Sequence, residues 1–278
     1  MQKNIKIYTL LILVLLLFLA LSGIVPQPFG SILYLSGFAL TIGIGLVYSS
    51  RDKTRREEES GQREPSDMLL SLNKSCALVA PLVFPIIALV FLTSFLTSLL
   101  LSSLGVVPPE SVEGNILELI LLHAVAPAIL EEAAFRYLPM KLFMPYSKRA
   151  TLIISSIYFA FFHMDFAKIP YALVAGFAFM FINLAAGSVL PSVILHFLNN
   201  LVSIIWIFTG TDYVLPFIIT LCALSLASLV IVLVLRRKYR KLFSGALGDK
   251  REGYFSYLIL LIPIISIIES SVKLIWGR

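Results

Sequence analysis

The chain has 278 residues, of which 59% are apolar and 14% charged, with a formal net charge of +6 and a mean hydropathy of +0.94. Soluble domains carry about 25% charged residues, and this many apolar side chains cannot all be buried in one core, so a water-soluble protein is excluded. The two cysteines, Cys76 and Cys222, lie in or beside apolar stretches without a pairing pattern, which excludes a disulfide scaffold and a cysteine-rich metal site.

Apolar runs bounded by charged or turn residues predict an all-α, polytopic membrane helix bundle of about eight transmembrane helices. The predicted spans cover residues 5–25, 30–49, 76–104, 116–138, 150–168, 170–187, 189–208 and 213–235. A ninth run, 254–276, contains Glu269 and Lys273 one helical turn apart, so it either spans the membrane or lies at its interface.

These runs divide the chain into four parts. Residues 1–49 contain two N-terminal spans, 50–75 a charged cytoplasmic linker, 76–208 a transmembrane core, and 209–278 the last span, a basic loop and the terminal helix. The first run can also be interpreted as a signal peptide, because basic residues precede it and small residues flank Leu21.

The distribution of lysine and arginine predicts that the N-terminus is cytoplasmic, because basic loops stay on that side of the membrane. In this orientation eighteen of the 22 Lys and Arg residues lie in cytoplasmic segments, whereas the opposite loops contain Lys168 alone. The positive charge is therefore interpreted as a basic collar that faces anionic lipid of the plasma membrane, and it gives no reason to expect a nucleic-acid partner.

Ionisable residues inside the spans are candidates for chemistry, since each costs a few kcal/mol in the hydrocarbon region. Glu132 and Arg136 in the fourth span are four residues apart on one helix face, so we expect an ion pair. Glu131 points about 100° away from that pair and has no partner in its own helix, which makes it the candidate general base. Pro127 lacks a backbone N–H and can loosen the helix one turn before Glu131. His123, in the outer half of this span, is expected to make only interhelical hydrogen bonds.

Two further spans contribute candidate residues. His163 lies in the fifth span, and His196 with Asn200 lies on a polar stripe of the seventh, which must face protein or water. On straight helices of the predicted lengths, Glu131 and His196 lie about 10 Å, and His163 about 20 Å, from the cytoplasmic ends of their spans. They can line one cavity only if the fifth helix is tilted or begins late. The shallow position of Glu131 predicts a cavity that opens to the cytoplasm.

The candidate residues also form three motifs that resemble those of the CaaX-protease and bacteriocin-processing (CPBP, or Abi) family of membrane proteases. Residues 131–136 resemble its EExxxR motif, 159–163 its FxxxH motif and 196–200 its HxxxN motif, in the order found in the family. Each motif alone is a weak signal, whereas three in sequence, each within a span, are a strong one. The resemblance covers residues from about 116 to 208.

The resemblance implies an intramembrane endopeptidase that acts on a membrane-associated, lipidated or small peptide substrate. It implies that Glu131 and His163 activate water, that His196 and Asn200 stabilise the oxyanion, and that Arg136 holds Glu132 in place. The family has been described both as metalloproteases and as metal-independent glutamate proteases. A zinc ion would be bound by Glu131, His163 and His196, a known type of ligand set, but these come from separate helices without HExxH spacing. We therefore expect no obligatory zinc.

Two other function classes stay open. Some members of the family are linked to bacteriocin immunity and surface-protein display, so a non-proteolytic scaffold is the main alternative, and a transporter or proton pathway is the generic interpretation of buried ionisable groups. Other intramembrane protease types are excluded. The five aspartates lie in loops or at span ends, no HExxH is present, and Gly187-Ser188 lacks the glycine that follows a rhomboid-type serine.

Overall fold

The computed structural model describes residues 1–26, 28–60, 70–106, 115–209, 214–247 and 261–276. These ranges fold into helices, with no strand among them. In chain order the helices are α1 Gln2–Ile24, α2 Phe29–Ser60, α3 Lys74–Ser103, α4 116–143, α5 Lys148–Phe162, α6 Ile169–Ala186, α7 Leu190–Thr209, α8 Val214–Val234, α9 Arg236–Leu247 and α10 Leu261–Trp276.

The predicted fold class is confirmed. Among the described residues, five helices are long and apolar enough to cross a membrane, namely α1, α2, α3, α6 and α8. Helix α5 has only 15 residues, and α4 contains the ionisable residues Glu131, Glu132 and Arg136. The result is an all-α polytopic membrane bundle.

Several helix bounds differ from the predicted ones. Helix α2 continues through the charged stretch to Ser60, where side chains one turn apart pair along the helix, as Arg55 and Glu59 do at 3.3 Å. Helix α4 extends to residue 143, and α5 ends at Phe162 because the chain turns at Met164, whose φ is +46°. The first residues of the predicted ninth run, 254–260, lie outside the described residues.

One end of the bundle is held together by polar contacts that involve the start of the chain. The Asn4 side-chain amide donates to the Leu142 carbonyl at 2.8 Å and to Asp52 Oδ2 at 3.1 Å. The Asn73 amide donates to the carbonyl of Ala186 at 2.9 Å, which ties the start of α3 to the α6–α7 turn. We call this end, with the α4–α5 turn and α9, the basic end.

Helix α9 lies across the basic end, in a segment that was predicted to be a loop. The Tyr239 hydroxyl donates to the Leu78 carbonyl at 2.6 Å, and the Phe243 ring packs on Phe181 of α6 at 5.1 Å. Ala246 is fully buried, whereas the five lysines and arginines of α9 are exposed. The helix is amphipathic, and its apolar face covers the short α6–α7 turn.

Buried hydroxyls connect α1, α4 and α5 in the core. The Tyr8 hydroxyl donates to the Ala134 carbonyl at 3.1 Å, and the Tyr8 ring stacks on Tyr158 at 5.5 Å. The hydroxyls of Thr9 and Tyr158 lie 2.7 Å apart, and Ser155 donates to the carbonyl of α4 residue Phe135. No water is available to these hydroxyls in the apolar core, so losing their protein partners would be costly. These bonds therefore fix the position of α4 relative to α1 and α5.

Helices α5 and α6 pack closely through a glycine. A Cβ atom on Gly176 would lie 3.1 Å from the Ser156 Cα and carbonyl oxygen, which belong to the backbone and cannot rotate away. Small residues permit this close approach of transmembrane helices.

We expect Gly176→Leu to push α5 and α6 apart and to lower the free energy of unfolding by about 1–3 kcal/mol, the usual cost of overpacking. Thermal unfolding in detergent would show this as a lower Tm. Gly43→Leu is the matched control, since nothing lies within 4 Å of a Cβ at that position. Equal Tm values for the two variants would contradict the prediction.

Candidate functional site

The four predicted catalytic residues line one cavity. This cavity, of ≈ 390 Å³, lies between α3, α4, α5, α6 and α7, and Glu131, His163, His196 and Asn200 all form part of its wall. His163 therefore faces the cavity and not lipid.

The observed helix bounds explain how the residues meet. Glu131 is twelve residues from the end of α4, which corresponds to a depth of about 18 Å below that end. His163 is fifteen residues from the start of α5, a depth of about 22 Å. The sequence predicted different depths for Glu131 and His163, because the predicted fourth span ended five residues before the end of α4.

The exposed part of the cavity wall lies on the side of Glu131 that is farther from the basic end. Glu131 and His196 are 8% and 5% exposed and form its inner part, whereas His123, Lys168 and Ser203 are exposed and surround its mouth. Which side of the membrane the N-terminus and the opening face stays a prediction. The cavity follows the part of α4 that precedes Glu131, and the N-terminus lies beside the other end of that helix.

Glu132 is the centre of a buried polar network. Its Oε1 lies 3.1 Å from Arg136 Nη1 and accepts a hydrogen bond from His196 Nδ1 at 2.8 Å. Its Oε2 accepts from Ser192 Oγ at 2.5 Å, and Asn183 Nδ2 donates to the same hydroxyl at 2.6 Å. The predicted ion pair of Glu132 and Arg136 is confirmed, and the network joins α4 to both α6 and α7.

Arg136 is fully buried, and aromatic rings surround its guanidinium. The guanidinium carbon lies 3.8 Å from the centroid of the Phe159 ring and 5.4 Å from that of Phe179. Within the described residues its nitrogens make no aligned hydrogen bond, so the contact with Glu132 is ionic. The negative faces of the two rings supply the remaining stabilisation of this charge.

His196 lies between the two glutamates. Because the Glu132 carboxylate only accepts, Nδ1 carries the proton of that hydrogen bond. The other nitrogen, Nε2, lies 3.8 Å from Glu131 Oε2 and faces the cavity. Glu132 thus fixes the orientation of the imidazole ring, as second partners of functional histidines commonly do.

His163 has a defined tautomer. Its Nδ1 lies 2.9 Å from the Phe159 carbonyl oxygen, which can only accept, so Nδ1 is protonated and Nε2 has the free lone pair. The ring packs edge-on against Phe159 at 5.1 Å and near Tyr171 at 6.5 Å. His163 therefore offers a hydrogen-bond acceptor to the cavity.

The helix that provides both glutamates is irregular. Residues 120–125 and 133–137 form π-helical turns, and Ala126–Glu132 between them is α-helical with Pro127 near its start. Such turns widen a helix and are frequent at functional sites. The predicted loosening near Pro127 corresponds to the first of these turns, where His123 and Pro127 line the cavity beside Glu131.

The asparagines of α7 complete the wall. Asn199 Nδ2 donates to Asn200 Oδ1 at 3.5 Å, which leaves the Nδ2 of Asn200 as a donor for a bound group. The Oδ1 of Asn199 is buried and accepts no hydrogen bond from the described residues. An asparagine side chain has both a hydrogen-bond donor and an acceptor, so each can bind a peptide group.

A catalytic zinc ion is held by three protein side chains that lie close together. Within the described ranges no three His, Cys, Asp or Glu side chains come close enough to hold one. Glu131, His163 and His196 share the cavity but are not arranged as a metal-ligand set, so no step of the chemistry below passes through zinc.

Sequence reasoning missed two members of the site. Asn183 is a lone amide in the apolar α6, a signal that polar groups inside spans usually have partners. Ser192 lies on the polar stripe of the seventh span, but its hydrogen bond to Glu132 was not predicted. Lys168 and His123, to which no role was given, surround the mouth of the cavity.

Residues 113–202 match a family described as type II CAAX prenyl endopeptidase Rce1-like. The match includes all three motifs and confirms the family predicted from them. No curated protein and no solved structure matches the chain.

We expect the buried pair to be energetically coupled. Arg136→Met leaves the Glu132 carboxylate without its counter-ion, and breaking a buried pair in this way costs about 3–5 kcal/mol. Adding Glu132→Gln removes the remaining charge but keeps a hydrogen-bond acceptor, so the double variant should unfold at a higher temperature than Arg136→Met alone.

The control is Lys53→Met, which breaks a part-exposed pair with Glu57 at 4.0 Å and should change stability by less than about 1 kcal/mol. A double variant that is less stable than Arg136→Met would show that the two charges do not stabilise each other.

Proposed function

Since residues 113–202 belong to the Rce1-like family of type II CAAX prenyl endopeptidases, we propose that the chain is an intramembrane endopeptidase whose Glu131 and His163 activate water. The family implies protease activity in general, and the long apolar helices identify an integral membrane protein. The observation that supports the specific mechanism is the presence of Glu131, His163, His196 and Asn200 around one cavity.

Glu131 is the base in this proposal. Its carboxylate lies at the inner part of the cavity, 8% exposed, where a water molecule can reach it from the mouth. The lone pair of His163 Nε2 accepts a hydrogen bond from the same water and orients it. The water oxygen bonds to the scissile carbonyl carbon, while its proton moves to Glu131.

Asn200 and His196 stabilise the oxyanion. Asn200 donates through Nδ2, and His196 donates through Nε2 once that nitrogen has received the proton from Glu131, whose Oε2 lies 3.8 Å away. Donors already oriented in a water-poor site contribute several kcal/mol to the transition state. Glu132 retains Nδ1–H on the other side of the ring, so the added proton can only occupy Nε2.

The proton then moves from His196 to the leaving nitrogen as the carbon–nitrogen bond breaks. The carbonyl re-forms as a carboxylic acid, which loses a proton to solvent, and Glu131 is again a carboxylate. One water molecule is consumed for each peptide bond, and no redox change occurs.

The substrate in this proposal is a peptide or a lipidated protein. The cavity has a volume of ≈ 390 Å³, within the usual range for ligand pockets, and apolar residues of α3 and α6, including Val90, Phe91 and Ala175, line much of its wall. Apolar side chains or a lipid group of the substrate can pack there, while the polar stripe of α7 faces the peptide backbone. Membrane lipid is the other partner, and the plasma membrane is the proposed location.

We expect Glu131→Gln to abolish cleavage, because the amide cannot accept the water proton and general-base catalysis contributes at least about 100-fold. The measurement is proteomics of C-termini in cells that express the wild-type or the variant chain. Glu118→Gln is the matched control, since Glu118 lies on the same helix but is exposed and outside the cavity.

C-terminal peptides that depend on the wild-type chain should persist with Glu118→Gln and disappear with Glu131→Gln. If the two variants give the same peptides while another phenotype of the chain persists, the non-proteolytic scaffold for bacteriocin immunity or surface-protein display is the better explanation.

A second prediction concerns zinc. Because no three metal-binding side chains come together in the described part of the chain, purified protein should retain cleavage of a fluorescent prenylated peptide after exhaustive chelation. Activity that is lost on chelation and regained only with stoichiometric zinc would overturn the glutamate-dependent mechanism.

A further inference from the structure

The two ends of the bundle differ in charge. The basic end carries the charged part of α2, the α4–α5 turn with Lys148 and Arg149, and all five basic residues of α9. At the opposite end Lys168 is the one lysine or arginine in the segments that join α3 to α4, α5 to α6 and α7 to α8, and it lies 3.8 Å from Asp165. Asymmetry of this size determines orientation, because Lys and Arg near span ends are retained in the cytoplasm.

The exposed residues of the cavity wall lie toward this second end of the bundle. They are His123 near the start of α4, Lys168 before α6 and Ser203 in the last part of α7. Between its inner wall and the basic end lie the fully buried Glu132 and Arg136 and the apolar cluster of Met140, Met180 and Val189. Substrate therefore cannot enter from the basic side.

We infer that the cavity opens on the extracytoplasmic face, so that its substrate is a peptide segment already carried across the membrane. Such a segment is either part of an exported peptide or the extracytoplasmic portion of a membrane protein, and not a cytoplasmic C-terminal tail. The orientation follows from charge and geometry alone, whereas the substrate class also rests on the proposed function.

Cysteine labelling tests the orientation without any need for activity. In a background with Cys76→Ser and Cys222→Ser, Lys168→Cys places a thiol at the mouth of the cavity, and Arg240→Cys places one on the exposed face of α9. A membrane-impermeant maleimide added to right-side-out vesicles should label Lys168→Cys, and it should label Arg240→Cys only after detergent opens the vesicles.

The opposite pattern, or labelling of Lys168→Cys only after the vesicles are opened, overturns the inference. Because Lys168 and Arg240 are exposed, neither substitution removes a packed side chain, and labelling in detergent confirms that each thiol is reactive. Adding Glu131→Gln to each variant should leave the labelling unchanged.

The substrate class is tested by the position of the cleavage sites. Peptide ends that appear with the wild-type chain and not with Glu131→Gln should map to exported peptides or to extracytoplasmic segments. Sites confined to cytoplasmic tails would overturn the inference. If no peptide depends on Glu131, the proposed function fails and the substrate class with it, while the labelling result still decides the orientation.

Discussion

The buried charge pair of Glu132 and Arg136 determines the arrangement of the site. Two ions in an apolar interior are stable only when each has partners, and here the carboxylate also accepts hydrogen bonds from Ser192 and His196. The guanidinium needs the rings of Phe159 and Phe179, which belong to α5 and α6. One ion pair on α4 thereby requires α5, α6 and α7 to occupy fixed positions around it. Glu131 differs from its neighbour because it points to the side of the helix that these partners leave open.

Much of this arrangement could be predicted from the sequence, because the four-residue periodicity of helices is regular. The spacing of Glu132 and Arg136 predicted their pairing, and the spacing of His196 and Asn200 predicted that both lie on one polar face of their helix. The depth of Glu131 could not be predicted in the same way. It depends on where α4 ends, and charged residues near the end of a buried helix hide that boundary in a hydropathy pattern.

The hydrogen bonds between residues of different helices could not be predicted from the sequence either. The bond between His196 and Glu132 joins residues 64 positions apart, and the contact of Asn183 with Ser192 depends on the tight turn between α6 and α7. Helix α9 illustrates a different difficulty. Its row of basic residues is typical of a solvated loop, and only contacts such as those of Tyr239 and Phe243 with α3 and α6 show that one face is buried.

Hydrolysis inside a membrane has two conditions. Water must reach the reacting atoms, and it must not pass through the protein to the other side of the bilayer. The cavity satisfies the first condition, since its exposed mouth leads to Glu131 about halfway along α4. The second condition is satisfied by the residues between Glu131 and the basic end. Both oxygens of the Glu132 carboxylate are already bonded to protein groups, and the apolar cluster around Met140 lies next to them. Helix α9 then covers the short α6–α7 turn at the basic end. The ion pair therefore has two consequences, because the same contacts that orient His196 toward the cavity also close the bundle behind it.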